Sequence, residues 1–599
     1  MKVSKILDSN YIKYFLFYYR RLTYRIPVLL TIKAFIAFID GLGLALFVPI
    51  FQIAEAGDSS GESLGNLAFL VDFFNKAGIK LSVNNLLLFM LGLFFLKGAI
   101  NYAASLYYAR IRVNFVKETR INLIDGICKV SYPGFVNIDL GRLQNIITTE
   151  IYKAIGAFSS FISTLQYGIM VLGYLFLTFL SNFQFAFLVT IAGLLSNLIF
   201  RIINKKVETT SLRQSVVGHD LQGKSLETIW NYKYLKATDL ISNYRTKLVY
   251  VINEIMKLSW RMGKLSAFAS SIREPIMLFF ICAIIFIQVN FMNVSIMSIA
   301  LSLILFLRTL SCLLSVQSNW LGFLADSGGI HTISGLSDEF EENIESKIDN
   351  KIDDIKESIQ FENVTFAYAP HLPEVLNNIN LTIKKHQTIA FVGESGSGKT
   401  TLVNMLAGLL MPVSGQIKID GIPLTNNLVK SFRQHLGYIT QEPVVFNTSL
   451  FNNITFHDPK NESTIKKFQE ALEKTALISM VEKLPQKEDS LLGDNGVLIS
   501  GGQKQRVSIA RELYRDCSLL IMDEATSALD TENELIIQAN INNLKGKYTI
   551  VIIAHRLSTV KSADIIYLLD KGKIEAYGNF EELKNKSVKF KRMVELQEF

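Results

Sequence analysis

The sequence predicts an α-helical six-span transmembrane domain followed by an α/β domain built on a phosphate loop. Three observations predict this. Six long apolar stretches fill the first half of the chain. An acidic, lysine-rich stretch then interrupts the apolar pattern. Beyond it, Gly393-Glu394-Ser395-Gly396-Ser397-Gly398-Lys399-Thr400 fits the pattern G-x-x-x-x-G-K-[ST], with an apolar run before it and a helical pattern after it. At 599 residues the chain is too long for one domain, and 49% hydrophobic residues exceed the usual soluble range.

The six apolar stretches lie near Ile26–Ala54, Asn84–Ala109, Ile155–Leu180, Phe183–Ile203, Leu265–Val289 and Met292–Val316. Each is near or above the ~20 residues that a helix needs to cross a bilayer. Lysine and arginine set the orientation. The tail before the first span is basic, with Lys2, Lys5, Lys13, Arg20 and Arg21. The segment after span two carries Arg110, Arg112, Lys117, Arg120, Lys129 and Arg142, and the segment after span four carries nine more cations from Arg201 to Lys247. These three segments are predicted to be cytoplasmic, and the latter two to extend the spans as helices. The aromatic run Tyr14–Tyr19 predicts an interfacial helix. In the first outer loop, Leu64, Leu67, Leu70, Val71 and Phe74 recur at helical spacing. A small amphipathic helix over Leu64–Ala77 and a solvated loop both accommodate that pattern.

The net charge of +8 is modest and its cations cluster beside apolar spans, which gives no reason to expect a nucleic-acid partner. Cys128, Cys282, Cys312 and Cys517 are scattered, so neither a disulfide framework nor a zinc site is expected. The N-terminus shows no cleavable signal pattern. Charges inside spans carry more information, because a charge facing lipid is costly. Lys33 and Asp40 lie in span one, Lys97 in span two, Arg273 and Glu274 in span five, and Arg308 in span six. Two readings are open. The charges pair among themselves or reach the interface, or else Lys97, Arg273 and Arg308 line a cationic cavity for an anionic substrate.

The predicted domains are residues 1–336, an acidic linker at 337–358, and residues 359–599. In the last of these, Thr388–Val392 reads as a buried strand entering the phosphate loop and Leu402–Leu410 as the helix leaving it. Glycines let successive N–H groups turn inward on a phosphate, and the following helix adds its positive end. Lys399 is placed to reach the outer phosphates and the Thr400 hydroxyl to bind Mg²⁺. Ser518–Met522 reads as an apolar strand ending in Asp523 and Glu524. An acid at such a strand tip supplies a second Mg²⁺ contact, which suits Asp523, and Glu524 can then orient or deprotonate a water. Ser500-Gly501-Gly502-Gln503 precedes a helical pattern and offers a second anion-binding helix start. Taken singly, these last motifs also read as an ordinary turn and a helix cap.

Taken together they carry a resemblance. The order of Gly393–Thr401, Gln441 in Ile439-Thr440-Gln441-Glu442-Pro443, Ser500–Gln503, Asp523-Glu524, Ser527-Ala528-Leu529-Asp530 and His555 resembles an ATP-binding-cassette ATPase. With six spans ahead of it, the chain resembles a half-transporter of the ABC exporter family. The resemblance covers nearly the whole chain. It implies that Tyr368 stacks on adenine, that Glu394–Thr401 cradle the phosphates of ATP, and that Gln441 touches Mg²⁺. It implies that Ser500 and Gly502 hold the γ-phosphate of nucleotide on a second copy, that Asp530 communicates across the dimer, and that His555 contacts the γ-phosphate. Asp139–Leu143 and Trp230–Tyr234 lie where such exporters place coupling helices, and Gly493–Gly496 resembles the loop that meets them. Ile499 stands where the signature usually has leucine. The long outer loop and Gly41–Phe51 resemble flippases for lipid-linked oligosaccharides. The implied protein is an ATP-driven, homodimeric exporter or flippase of the inner membrane. Its implied partners are a second copy, the bilayer and a lipid-like substrate. Export of peptides or drugs, or a regulator on the same fold, are the alternatives. An importer is disfavoured by the fusion of spans and ATPase, and a soluble cassette is excluded by the spans.

Overall fold

Four of the apolar runs of the first half become helices much longer than a bilayer is thick. The computed structural model describes residues 16–19, 21–46, 50, 82–181, 183–291, 296–345, 352, 354–523, 539, 542–554 and 560–597. Among them, six long helices span Arg25–Ala45, Val83–Lys129, Ile151–Ser181, Phe183–Trp230, Ile241–Phe291 and Ile296–Glu342. Helices of 47, 48 and 51 residues are roughly 70 to 75 Å long at 1.5 Å per residue, so each crosses a bilayer and continues well into water. Among the described residues four helices are long and apolar enough to cross a membrane, within Arg25–Gly43, Val83–Lys129, Leu140–Phe176 and Ile241–Ala283. Their apolar portions leave large side chains uncovered, including Leu88, Phe95, Leu172, Phe176, Leu278 and Phe279, as a lipid-facing surface would. The outer-loop stretch Leu64–Ala77 lies outside the described residues.

Polar extension below the spans is held by small residues. A Cβ on Gly329 would meet the Glu150 carbonyl oxygen at 2.5 Å, so helices Ile151–Ser181 and Ile296–Glu342 touch backbone to backbone there. Glu150 is buried, and its carboxylate accepts from Asn145 Nδ2 (3.1 Å), Lys153 Nζ (2.8 Å) and Ser215 Oγ (2.9 Å). Tyr14 and Phe15 of the N-terminal aromatic run lie outside the described residues, Leu16 and Tyr19 are exposed, and Phe17 and Tyr18 depart from the interfacial expectation. Tyr18 is fully buried, donates to the Ala154 carbonyl oxygen (2.7 Å) and packs on Phe115 and Phe158. Its hydroxyl finds a partner inside the bundle that lipid headgroups are not needed to supply.

The chain forms two compact units, residues 1–130 with 137–343, and residues 131–136 with 344–599. The break falls after Asn343, because helix Ile296–Glu342 runs through the start of the acidic stretch. Short helices occupy Tyr132–Val136 and Leu140–Asn145 after the second long helix, and Tyr232–Ala237 after the fourth. The first of these, rather than Asp139–Leu143, is the piece that groups with the second unit.

The second unit carries two sheets. Strands are β1 (Ser358–Phe366), β2 (Leu376–Lys384), β3 (Thr388–Val392), β4 (Ser414–Ile419), β5 (Ile422–Pro423), β6 (Leu436–Ile439), β7 (Leu519–Asp523), β8 (Thr549–Ile553), β9 (Ile565–Asp570) and β10 (Lys573–Gly578). The first sheet is antiparallel with order β2-β1-β4-β5. The second has order β10-β9-β3-β8-β7-β6 and is parallel except at β10. β3 and β8 are buried at every position, which is why both read as unbroken apolar runs instead of alternating ones. A third, helical core gathers Leu450, Phe451, Phe468, Leu472, Val507 and Tyr514 from helices Leu450–Thr455, Glu462–Lys474 and Gly501–Tyr514.

Candidate nucleotide site

β3 lies between β9 and β8, so its C-terminal tip opens in the middle of the parallel sheet. The phosphate loop starts there. At Gly393, with φ +152°, a Cβ would meet the Leu569 carbonyl oxygen at 2.3 Å. Gly398, with φ +100°, caps helix Lys399–Leu406 in a left-handed conformation, and a Cβ there would meet Leu376 at 2.8 Å. Both positions are closed to any side chain, one by contact and the other by contact and backbone angle. Lys399 is buried, and its Nζ donates to the carbonyl oxygens of Gly393 (2.8 Å) and Glu394 (2.9 Å). Glu394, Ser395, Gly396 and Thr400 are exposed, while Ser397 and Thr401 are buried. Ser397 Oγ is buried and has no hydrogen-bond partner among the described residues. A loop with exposed amides, an unsatisfied hydroxyl and a lysine folded against it fits a phosphate chain. Tyr368 is 57% exposed and its hydroxyl lies 3.0 Å from Thr401 Oγ1, which puts an open aromatic face beside the loop.

Asp523 stands at the tip of β7. Ile553 of β8 is opposite Phe391 on one side and Asp523 on the other, so Asp523 is two strands from the phosphate loop. Exposed Thr400 and half-buried Asp523 supply oxygen donors of the kind that Mg²⁺ takes. Gln441 follows β6 on the far side of β7. Tyr438, on β6, has its phenol pushed up to about 12 by burial, with Asp523 and Tyr132 adding to it. Glu524, Asp530 and His555 lie outside the described residues. Their described neighbours Asp523 and Ala554 end β7 and follow β8, and Ala554 N–H bonds the Phe391 carbonyl oxygen at 3.2 Å.

Ser500–Gln503 stands at the start of a different helix. Ser500 caps helix Gly501–Tyr514, accepting from Gln503 N–H (3.3 Å) while Gln503 Oε1 accepts from Ser500 N–H (2.9 Å). Ser500 and Gly501 are exposed and Gly502 is buried. That helix packs in the helical core through Val507, Ala510 and Tyr514, and through Ile509 and Leu513 in a sheet core that it shares with Ala390 and Val392 of β3. Sequence reasoning missed Arg511 on the same helix. Its guanidinium donates to Asn453 O (2.7 Å), Val444 O (2.9 Å) and Asn453 Oδ1 (3.1 Å), which ties the loop after Gln441 to the signature helix. Burial pulls its pKa down. The available signal was its place on the buried stripe Val507, Ala510, Arg511, Tyr514.

A family profile described as "ABC transporter" matches residues 376–527, and one described as "ABC transporter transmembrane region" matches 63–314. A protein of Sodalis glossinidius named ATP-dependent lipid A-core flippase is 30% identical over 556 residues, covering 88% of this chain and 91% of its own. The chain belongs to the ABC transporter family. A Shewanella denitrificans protein of the same name is 29% identical over 524 residues, covering 85% of each chain. The structure of a bacterial Atm1-family ABC exporter with ATP bound superposes with a TM-score of 0.78 at 20% identity, over 97% of this chain and 98% of that one, a likeness of fold. The transporter is thus an ATP-hydrolysing integral protein of the inner membrane, with its ATPase domain in the cytoplasm.

In the transporter's membrane unit, the charges sort differently from a single three-cation cavity. Lys97 forms an ion pair with Asp40, and the Tyr174 hydroxyl donates to the same carboxylate. Away from water a pair so placed holds together, so Lys97 follows the pairing alternative. Arg308 is exposed and near enough to Tyr174 and Cys312 to act on them electrostatically. Asp40, Lys97, Tyr174 and Arg308 therefore bring four helices to one charged cluster with two cations and one acid. Arg273 is held by other helices. It is 7% exposed, lies 5.6 Å over the Phe200 ring, and its Nε has no partner among the described residues. Glu274 beside it is exposed.

Proposed function

We propose that the chain is one half of a homodimeric flippase that uses ATP to move an amphipathic, anionic, lipid-linked molecule across the inner membrane. The observation that carries this reading is that Arg273 and Arg308 form no ion pair among the described residues, on helices that also expose large apolar side chains. Such a surface suits a substrate with a charged head and hydrocarbon tails. Arginine's fork matches phosphate and pyrophosphate groups. Relatives named for lipid A-core flipping support the lipid class, and a lipid-linked oligosaccharide has the same chemistry.

In this reading ATP lies between the phosphate loop of one copy and Ser500–Gln503 of the other. The two halves of the site start different helices, Lys399–Leu406 and Gly501–Tyr514, and Thr400, Ser500 and Gly501 are exposed for a partner to meet. Tyr368 stacks on the base, the loop amides and Lys399 hold the phosphates, and His555 senses the γ-phosphate. Asp530 reads the state of the opposite copy. Glu524 orients and deprotonates the attacking water. Mg²⁺, held by Thr400, Asp523 and Gln441, would neutralise phosphate charge. Closure on ATP clamps the two ATPase domains, and hydrolysis releases them.

The test is reconstitution in liposomes that carry a fluorescent phosphorylated lipid, with Glu524→Gln as the inactive control. ATP-dependent lipid translocation is expected, and Arg273→Ala/Arg308→Ala should cut its rate by about tenfold or more, for two lost charge-assisted contacts. A double variant that flips the anionic lipid at the unaltered rate contradicts the substrate class.

A further inference from the structure

Helix Asn426–Phe432 continues into a tight turn, Arg433–His435, and then into β6, which leads to Gln441. Arg433 sits at the corner and reaches in two directions. Its Nη2 donates to the Gly408 carbonyl oxygen at 2.5 Å and its Nε to that of Ala407 at 3.4 Å. Ala407 is the C-cap of Lys399–Leu406, the helix that begins at the phosphate loop. Gly408 makes the approach possible. Its φ is +65°, and a Cβ there would meet Val429 at 2.9 Å. The same guanidinium grips Glu345 with both arms, Nη1 to Oε2 at 3.1 Å and Nη2 to Oε1 at 2.8 Å. Glu345 is the third residue beyond Glu342, where the helix carrying the sixth span ends.

Ile352 is a second fixed point, and Glu345 and Ile352 together form a strap. Ser431 Oγ accepts from Ile352 N–H (2.7 Å) and donates to its carbonyl oxygen (3.0 Å), and His435 Nε2 lies 3.0 Å from that same oxygen. Exposed ion pairs between long side chains count for little. This one differs in kind, because it is bidentate, three-quarters covered on both sides, and anchored on two backbone carbonyls. One side chain thus joins the end of the phosphate-loop helix, the chain leaving the sixth span, and the strand that delivers Gln441.

We propose that Arg433, acting through Glu345, is a positioning residue that carries nucleotide-driven movement of helix Lys399–Leu406 into helix Ile296–Glu342. A slack tether would lose such a movement, and a fork fixed at both ends transmits it. The link acts beside any coupling through the helical turns after spans two and four.

Amide hydrogen exchange on the full chain in lipid nanodiscs tests this, with and without Mg²⁺-ATP and vanadate. Nucleotide should protect residues 393–406 and change exchange across 307–342 in the unaltered chain. Glu345→Gln keeps the carbonyl contacts of Arg433 and removes only the carboxylate charge. It should retain protection at 393–406, the thermal midpoint and the KM for ATP, while losing about half or more of the response at 307–342. Arg433→Lys, which keeps charge and loses the fork, should do the same, and the double variant should be no worse than either single one. A full response at 307–342 in Glu345→Gln overturns the proposal. So does an unaltered chain that shows no response there, an additive double variant, or a Glu345→Gln chain that loses nucleotide protection itself.

Discussion

Cys517 shows how one side chain's surroundings set its chemistry. It is 3% exposed at the entry to β7, and burial together with the nearby Glu512 carboxylate pushes its thiol up to about 12. The thiolate is the reactive form. At pH 7.5 such a thiol is ionised to roughly one part in 10⁴ or less. Cys128 is exposed near the end of helix Val83–Lys129. Iodoacetamide is therefore expected to label Cys128 in the folded chain between pH 7 and 9, and Cys517 only after denaturation; peptide mapping of Cys517 adducts from folded protein in that range would contradict this. The linkage has a definite sign. Between the ordinary thiol value of 9.0 and about 12, the folded chain keeps a proton that the unfolded chain has lost. The contribution of this group to stability is hence constant below pH 9 and falls as pH rises above it. Arginines 433 and 511 make the complementary point, since each has its charge spent on carbonyl oxygens far away in sequence.

Among elements, the junction of helices Ile151–Ser181 and Ile296–Glu342 depends on having no side chain at Gly329, where a Cβ would lie 2.5 Å from the Glu150 carbonyl oxygen. Gly329→Val should force the helices apart at a cost of about 1 to 3 kcal/mol. Gly263→Ala, where a Cβ meets nothing within 4 Å, should be neutral or slightly stabilising. Thermal unfolding of both variants in the same detergent checks the pair, and an unchanged midpoint for Gly329→Val would remove the close approach from the account. This junction also marks where the sequence stops being legible. Hydropathy located the six long helices, four of which are apolar enough among the described residues to cross a membrane, and a buried strand announced β3, because both are local patterns. The phosphate loop was legible because its glycines, lysine and threonine recur at fixed spacing, although the contacts that close Gly393 and Gly398 to side chains come from Leu569 and Leu376. Helix ends were not, because polar extensions such as Asn114–Lys129 carry no apolar run to measure. The burial of Tyr18 depends on Ala154, and the strap depends on Ser431 and Arg433, partners that no window on the sequence contains. Lys97 and Asp40 lie 57 residues apart, so their pairing stayed one of two readings until helices Arg25–Ala45 and Val83–Lys129 were placed side by side.

At the scale of the whole molecule, the question is how many chains make one ATP site. Lys399 opens helix Lys399–Leu406, whereas Ser500 caps a different helix, Gly501–Tyr514. If each site takes its phosphate loop from one copy and Ser500–Gln503 from the other, the placement of two lesions matters as much as their number. Lys399→Ala removes a charge from the phosphates, and Ser500→Arg places a bulky side chain where the opposing nucleotide sits. In a mixed dimer with Lys399→Ala in one copy and Ser500→Arg in the other, both lesions fall in one site and the second site stays whole. When one copy carries both lesions and its partner none, each site is damaged once. Both dimers contain the same two substitutions, so effects on folding or expression cancel in the comparison. The first arrangement should bind one nucleotide per dimer at close to the unaltered affinity, and the second none at that affinity, as measured by equilibrium binding of a fluorescent ATP analogue. Sites confined to single chains predict a different pattern. The first arrangement would then damage both sites once, and the second would leave one untouched chain. The two geometries thus invert the ranking of the same pair of dimers, and equal binding by both would contradict the shared site.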